Sequence, residues 1–234
     1  MKAFLLAAGL GTRLRPITDT LPKSMVEIGG EPLLDIWLDA LAAAGVTDVL
    51  INLHHLPHLV RKHVENREHG PVVHLTEEPE LLGSAGTLAA NRAFVAGEEM
   101  FLAINADNLT DVDLGALIDA HRAGGAVATL SLFHAPNPSA CGIAEVDDSG
   151  RLIGFEEKPQ HPKSDLANAG MYAFGPQVFD LIGTSKPQDI GTHVIPQLVG
   201  LAHTMPIDRH YFIDIGTPAA LEQARAEWKG RSTT

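Results

Sequence analysis

The sequence is poor in cysteine, in basic runs and in long apolar stretches, and each shortage closes off a class of function. Its one cysteine, Cys141, cannot form an internal disulfide, so a reducing cytosol suits the chain. The net charge is −12 with no basic run to offset it, so a nucleic-acid partner is not expected. Small phosphorylated ligands stay open, because they need only a few local cations. No apolar stretch is long enough to cross a bilayer, so no membrane partner is expected. The opening "MKAFLLAAGL" has too brief an apolar run for a signal peptide, and Arg13 and Arg15 follow where a cleavage site needs small residues. No linker rich in Gly, Ser or Pro and no repeat divides the 234 residues. No strong Ser-His-Asp or Cys-His set offers a covalent nucleophile.

What is present is an alternation. The apolar run at 2–7 reads as a fully buried strand, and 48–53, 72–78 and 100–107 read as strands. Between and after them, 32–45, 58–70, 84–97 and 113–125 read as helices, the third with Ser84 as a candidate cap. The pattern predicts an α/β fold with a Rossmann-like mixed, mostly parallel sheet flanked by helices. From Ala126 the rhythm is richer in strands (126–133, 142–147, 151–157, 169–174), with "DDSG" (147–150) as a hairpin turn. Helical patterns return at 176–183 and 191–200, then a strand at 211–216 and a helix at 218–230. The expectation is one domain over 1–234, with a nucleotide-binding half (1–125) and a more strand-rich half (126–234).

Ligands of such sheets sit beyond the carboxyl ends of the strands. That rule selects the loops after Ala7, around Glu78, after Asn105 and after Ile213. In "AAGLGTRLRP" (7–16), Gly9 and Gly11 allow a sharp turn and close approach of backbone N–H groups to an anion. Arg13, Arg15 and Lys23 add positive charge, the arginines with a fork suited to phosphate. Two familiar phosphate motifs fail: no lysine follows a second glycine, and Leu14 stands where G-x-G-x-x-G needs its third. Asp107 closes an apolar strand in "FLAINADN" and Asp214 interrupts one in "YFIDIGTP", where a lone buried charge has no good reason to be. The two could share one Mg²⁺. In "FEEKP" (155–159), Lys158 could hold a second phosphate and a neighbouring glutamate could accept from sugar hydroxyls.

In order along the chain, "AAGLGTRLRP", "PKSMVEIGGEPLL", "LLGSAGTL", "NADN", "CGIAEVD", "EEKP", "NAGMYAF" and "FIDIGTP" resemble the sugar-1-phosphate nucleotidyltransferases, from Met1 to about Ala220. The pattern looks most like the heptose- and mannose-1-phosphate guanylyltransferases. The resemblance implies the nucleotide-diphospho-sugar transferase fold. It also implies transfer of a nucleotidyl group from a nucleoside triphosphate to a sugar 1-phosphate, with release of pyrophosphate. By resemblance, Leu6, Ala7, Ala8, Gly9, Gly11 and Thr12 hold the nucleotide, with Gly83 and Glu78 beside it. Arg13 and Lys23 bind the triphosphate, and Asp107 and Asp214 hold Mg²⁺. Lys158 binds the sugar phosphate; Glu157, Asn168, Gly142 and Gly170 contact the sugar. Such chemistry needs no general base, since the nucleophile is already an anionic phosphate oxygen; screening and in-line positioning supply the rate. Two departures stand out. Ala106 takes the place of the glycine that many members have before the first metal aspartate. No C-terminal left-handed β-helix is expected, nor the trimers built on it, while a homodimer is compatible with the resemblance.

For the base, Glu78 is the candidate: a carboxylate can accept from both N1–H and N2–H₂ of guanine, which favours GTP. Uridylyl, thymidylyl and cytidylyl transfer are the alternatives, as is a non-catalytic subunit that binds an NDP-sugar. The histidines of "HHLPHLVRKH" (54–63) read as polar surface rather than a zinc site, since no cysteine is near. The tail "GRSTT" is expected to fray.

Overall fold

The structure is a computed structural model that describes residues 1–230; the end of the tail expected to fray lies outside them. In chain order the strands are β1 (Lys2–Leu6), β2 (Glu27–Ile28), β3 (Glu31–Pro32), β4 (Asp48–Leu53), β5 (Val72–Glu77), β6 (Phe101–Asn105), β7 (Asn108–Thr110), β8 (Ala128–His134), β9 (Gly142–Val146), β10 (Leu152–Glu157), β11 (Leu166–Phe174), β12 (Ala202–Pro206) and β13 (Phe212–Asp214). The helices are α1 (Leu33–Ala43), α2 (Pro57–Glu65), α3 (Ser84–Ala90), α4 (Leu114–Gly124) and α5 (Pro218–Glu227). None is long and apolar enough to cross a membrane.

The chain forms two compact units, and they are not cut at 125/126. The first takes Met1–Leu81, Asn105–Leu114 and the chain from His210 on; the second takes Leu82–Ile104 and Gly115–Arg209. Two late segments thus return to the unit that carries the glycine-rich loop. Asp107 arrives on one of them and Asp214 on the other.

In the first unit β1, β4 and β5 form a parallel sheet in register, Lys2 facing Asp48 and Asp48 facing Val72. The middle residues of β1 and nearly all of β4 are buried, which is why their sequences are continuously apolar. Helix α1 buries Leu33, Leu34, Trp37, Leu38 and Leu41 along one side. Trp37 is 1% exposed, and its indole N–H donates to the Asn108 carbonyl at 2.9 Å. That bond ties down the residue next to Asp107. Strand β7 pairs antiparallel with β13, Asn108 facing Asp214, and so delivers Asp214 beside Asp107.

The second unit is built on β11, which pairs antiparallel with β6, β8 and β9, while β12 adds to β8 in parallel. Phe101, Phe174, Phe179 and Tyr172 pack ring against ring in its core. The β9–β10 hairpin turns through 147–150, as its sequence predicts.

Several expectations are corrected. The helix predicted over 84–97 ends at Ala90 and passes into a 3₁₀ turn, Arg92–Val95. Ser84 does not cap it: Gly83 stands at the cap, and the Ser84 hydroxyl accepts the Ile190 N–H at 2.8 Å. The helical patterns at 176–183 and 191–200 fold as 3₁₀ and π turns. Helix α2 stops at Glu65 rather than at Gly70. Strands β2, β3, β7 and β12 have no counterpart in the periodicity; the first three are too short to carry one.

Candidate functional site

In the first unit β1 runs out at Leu6, and the chain enters a loop that reaches Lys23 before β2. Leu6 offers its carbonyl to the Ala106 N–H at 3.0 Å, which holds the residue before Asp107. Ala8 is buried, whereas Gly9, Thr12 and Arg13 are exposed. Gly11 has φ +61, and a Cβ there would lie 2.8 Å from Thr18 Cγ2, so this turn requires glycine. Gly9 has no such need: nothing lies within 4 Å of where its Cβ would be. A short 3₁₀ turn, Thr12–Leu14, then buries Leu14 and turns Arg13 outward.

Lys23, Asp107 and Asp214 converge. Lys23 is 8% exposed, and its Nζ donates at 3.0 Å to Asp107 Oδ2 and at 3.0 Å to Asp214 Oδ1. Arg13 Nη2 lies 3.5 Å from Asp214 Oδ2. Asp214 also accepts the Gly216 N–H at 2.8 Å. The aspartate side chains are 44% and 46% exposed, and Asp214 lies at the end of β13 with one face open rather than buried alone. Arg15 points elsewhere and pairs with Asp19 at 3.1 Å on the surface.

Two carboxylates that share one ammonium at 3.0 Å can share one cation. Their hard oxygen donors suit Mg²⁺, which fills its remaining positions with water or phosphate oxygens. That completion is needed, because no group of three His, Cys, Asp or Glu side chains that could hold a metal occurs among the described residues. Gly216 belongs to this site although its sequence position did not mark it. A Cβ there would lie 2.8 Å from both Arg13 Nη2 and Asp214 Oδ1, so glycine lets the arginine reach the carboxylate.

Glu78 sits differently from a base-reading side chain. It is 3% exposed, and its Oε1 accepts from Asn52 Nδ2 at 2.9 Å. Of the histidines of 54–63, His58 is exposed, in keeping with a polar surface, while the other three are half-buried and bonded. His54 bonds the Glu78 carbonyl, His55 the Thr18 carbonyl and His63 the Asp35 carboxylate.

The other candidates lie in the second unit. Glu157 ends β10 opposite Gly142 of β9. Its Oε2 lies where a Cβ on Gly142 or Gly191 would come within 2.5 or 2.8 Å, so two glycines make room for this carboxylate. Burial pushes its pKa up; Lys158 pulls it down and Asp189 adds to the rise. Lys158 stands in the left-handed region at φ 50, a strained position for a residue with a Cβ, and is well exposed. Its Nζ lies 3.9 Å from Glu157 Oε1. The register that pairs Ala167 with Ile143 carries Asn168 toward Gly142. Asn168 donates to the Tyr172 hydroxyl at 2.7 Å and accepts the Gly170 N–H at 3.0 Å, across a break in strand register. Gly83, at φ +76, leaves the Gln188 carbonyl the space that a Cβ would fill. It thus packs against the Gln188 backbone. Asp189 and Gly191 are neighbours of Glu157 that sequence reasoning missed, since neither stands in a recognisable motif.

The chain is similar to known proteins over most of its length. A family model described as nucleotidyl transferase matches residues 2–230. The chain is 37% identical over 205 residues to a glucose-1-phosphate thymidylyltransferase of Streptomyces antibioticus, covering 85% of this chain and 57% of that protein. It is 36% identical over 226 residues to a mannose-1-phosphate guanyltransferase of Candida albicans, covering 93% of this chain and 62% of that protein. The chain therefore spans about three fifths of the length of these relatives. Among solved structures, a Bacillus anthracis protein provisionally assigned as a glucose-1-phosphate thymidylyltransferase superposes with a TM-score of 0.85 at 26% identity. It covers 97% of this chain and 94% of that one, and the mixed, mostly parallel α/β fold expected from the sequence is shared.

Proposed function

The chain belongs to the nucleotidyl transferase family, and from that premise we propose that it transfers a nucleotidyl group from a nucleoside triphosphate to a sugar 1-phosphate, releasing pyrophosphate. The observation that carries the reading is the buried Lys23 ammonium shared by Asp107 and Asp214, with Arg13 alongside. Two polyanions must be brought together, and this is where the chain concentrates cations near carboxylates able to hold a third. Mg²⁺ held by Asp107 and Asp214 would screen that repulsion and stabilise charge on the phosphorus oxygens. Arg13 and Lys23 bind triphosphate oxygens and stabilise the departing pyrophosphate. The loop from Ala8 to Thr12 presents backbone N–H groups to the nucleotide. In the second unit Lys158 takes the sugar phosphate as a point charge, and Glu157 accepts from sugar hydroxyls. The incoming phosphate is already anionic, so no side chain has to remove a proton from it.

The narrower reading is GTP with mannose or heptose 1-phosphate, supported by the motif pattern and by the Candida albicans relative. Glu78 does not carry it, since its carboxylate is buried against Asn52. The thymidylyl relative is equally similar and leaves dTTP as the second reading. One panel decides: each of GTP, dTTP, UTP and CTP against mannose, glucose and heptose 1-phosphates, scored by pyrophosphate release. Turnover with one pair and Mg²⁺ is expected. Release with none of them would overturn transfer and favour an NDP-sugar-binding subunit.

A further inference from the structure

Ala7 is the first residue past β1, and its N–H donates to Asn52 Oδ1 at 2.7 Å. Asn52 lies on β4 and is 4% exposed. Its Nδ2 donates to Glu78 Oε1, one residue past β5. A backbone N–H only donates and a carboxylate oxygen accepts, so the side chain between them must supply one acceptor and one donor. A primary amide does both, and in one orientation only. Asn52 is thus chemically specified by its neighbours, although it interrupts a run of apolar residues.

Glu78 is itself held. Its N–H donates to the Leu53 carbonyl at 2.8 Å, and its carbonyl accepts from His54 Nδ1 at 2.7 Å. Next along the chain, His55 Nε2 donates to the Thr18 carbonyl, and the Thr18 hydroxyl donates to the Gly11 carbonyl at 2.7 Å. The end of β4 therefore reaches the loop at its start, through Asn52, and at its turn, through His55.

We propose that Asn52 is a positioning residue for the glycine-rich loop. Backed by Glu78, it fixes the Ala7 N–H and with it the backbone that follows; the consequence for nucleotide binding rests on the proposed function, the geometry does not. Glu78 serves as the anchor of Asn52 rather than as a reader of the base.

A charge exchange tests this. Asn52→Asp puts a carboxylate against Glu78, while Glu78→Gln alone still offers Asn52 an acceptor. In the double variant the amide introduced at position 78 can donate to the carboxylate introduced at position 52. That carboxylate can still accept from the Ala7 N–H. Two quantities are read on the intact chain: hydrogen exchange of the 7–12 amides without ligand, and Kd for each triphosphate. Asn52→Asp should speed loop exchange and raise triphosphate Kd about tenfold or more, the size of a lost buried hydrogen bond. The melting temperature should respond less, and the affinity for sugar 1-phosphate should stay level. Glu78→Gln should be close to neutral for every triphosphate, and the double variant should recover both quantities. Loop exchange and Kd that do not respond to Asn52→Asp, or a double variant no better than the single one, overturn the proposal. A selective loss of GTP binding in Glu78→Gln overturns the anchor and restores Glu78 as a base contact. If the wild type binds no triphosphate while loop exchange still rises in the single variant and recovers in the double one, the positioning holds and the functional reading fails. Should Asn52→Asp not fold, Asn52→Leu read by the same loop exchange makes the decision.

Discussion

Lys23 donates to Asp214 across 3.0 Å although 191 residues separate them in the chain. The same ammonium serves Asp107, so one lysine is shared by the two carboxylates proposed to hold a metal. The pairing means that Lys23 and a divalent cation compete for the same oxygens, which gives its removal two opposite effects. Lys23→Met should bind Mg²⁺ more tightly without nucleotide, by titration calorimetry. It should also lower kcat/KM by about 10²–10³, the scale of a lost donor to developing charge. Weaker Mg²⁺ binding in the variant would show that the lysine does not occupy the metal's place.

Removing either carboxylate separates chemistry from folding. Asp107 and Asp214 are nearly half exposed, so Asp107→Asn and Asp214→Asn should keep the melting temperature within a few degrees. Pyrophosphate release should fall by orders of magnitude in both, and excess Mg²⁺ should recover part of it. A collapse of the fold instead would make the pair structural.

How far the sequence discloses this site depends on which interactions make it. Strand-end carboxylates and a loop with glycines and arginines have local signatures, so Arg13, Lys23, Asp107 and Asp214 are legible as chemistry. Their meeting is not local: it needs the β7–β13 pairing and the Trp37 bond to Asn108, both between segments far apart in sequence. Asn52 was hidden for the same reason, because a polar residue in an apolar strand gains meaning only from Ala7 and Glu78. The strand-rich character of 126–234 is legible in the rhythm of its segments, whereas β12 emerges only against β8. Ser84 misled as a cap because its preference for helix starts was outcompeted by a bond to Ile190.

The two loop glycines should answer alanine differently. Gly11→Ala places a methyl group against Thr18 in left-handed backbone and should cost about 1–3 kcal/mol of stability. Gly9→Ala meets open space and should leave stability unchanged in denaturant unfolding. If Gly9→Ala nevertheless weakens triphosphate binding, close approach of ligand is the reason for that glycine. A destabilised Gly9→Ala would contradict the open space around it.

Glu157 predicts a pH dependence with a definite sign. Its folded-state pKa is raised above the ordinary value of 4.5, chiefly by burial, so the folded chain holds that proton more tightly than the unfolded chain. The stabilisation is present below the unfolded value and is lost as pH rises through the folded one. Glu157→Gln removes the titration while keeping the shape. Melting temperatures of both proteins from about pH 4 to pH 7 should therefore show the wild type losing ground to the variant as pH rises. Asp189 contributes to the upward shift, so Asp189→Asn should narrow that change. Other titrating groups, Glu31 among them, are common to both proteins and cancel in the difference. A gap that stays constant with pH would mean that Glu157 is ionised in the folded state as readily as in the unfolded one. Its place between Gly142 and Gly191 would then be solvated rather than reserved for a ligand.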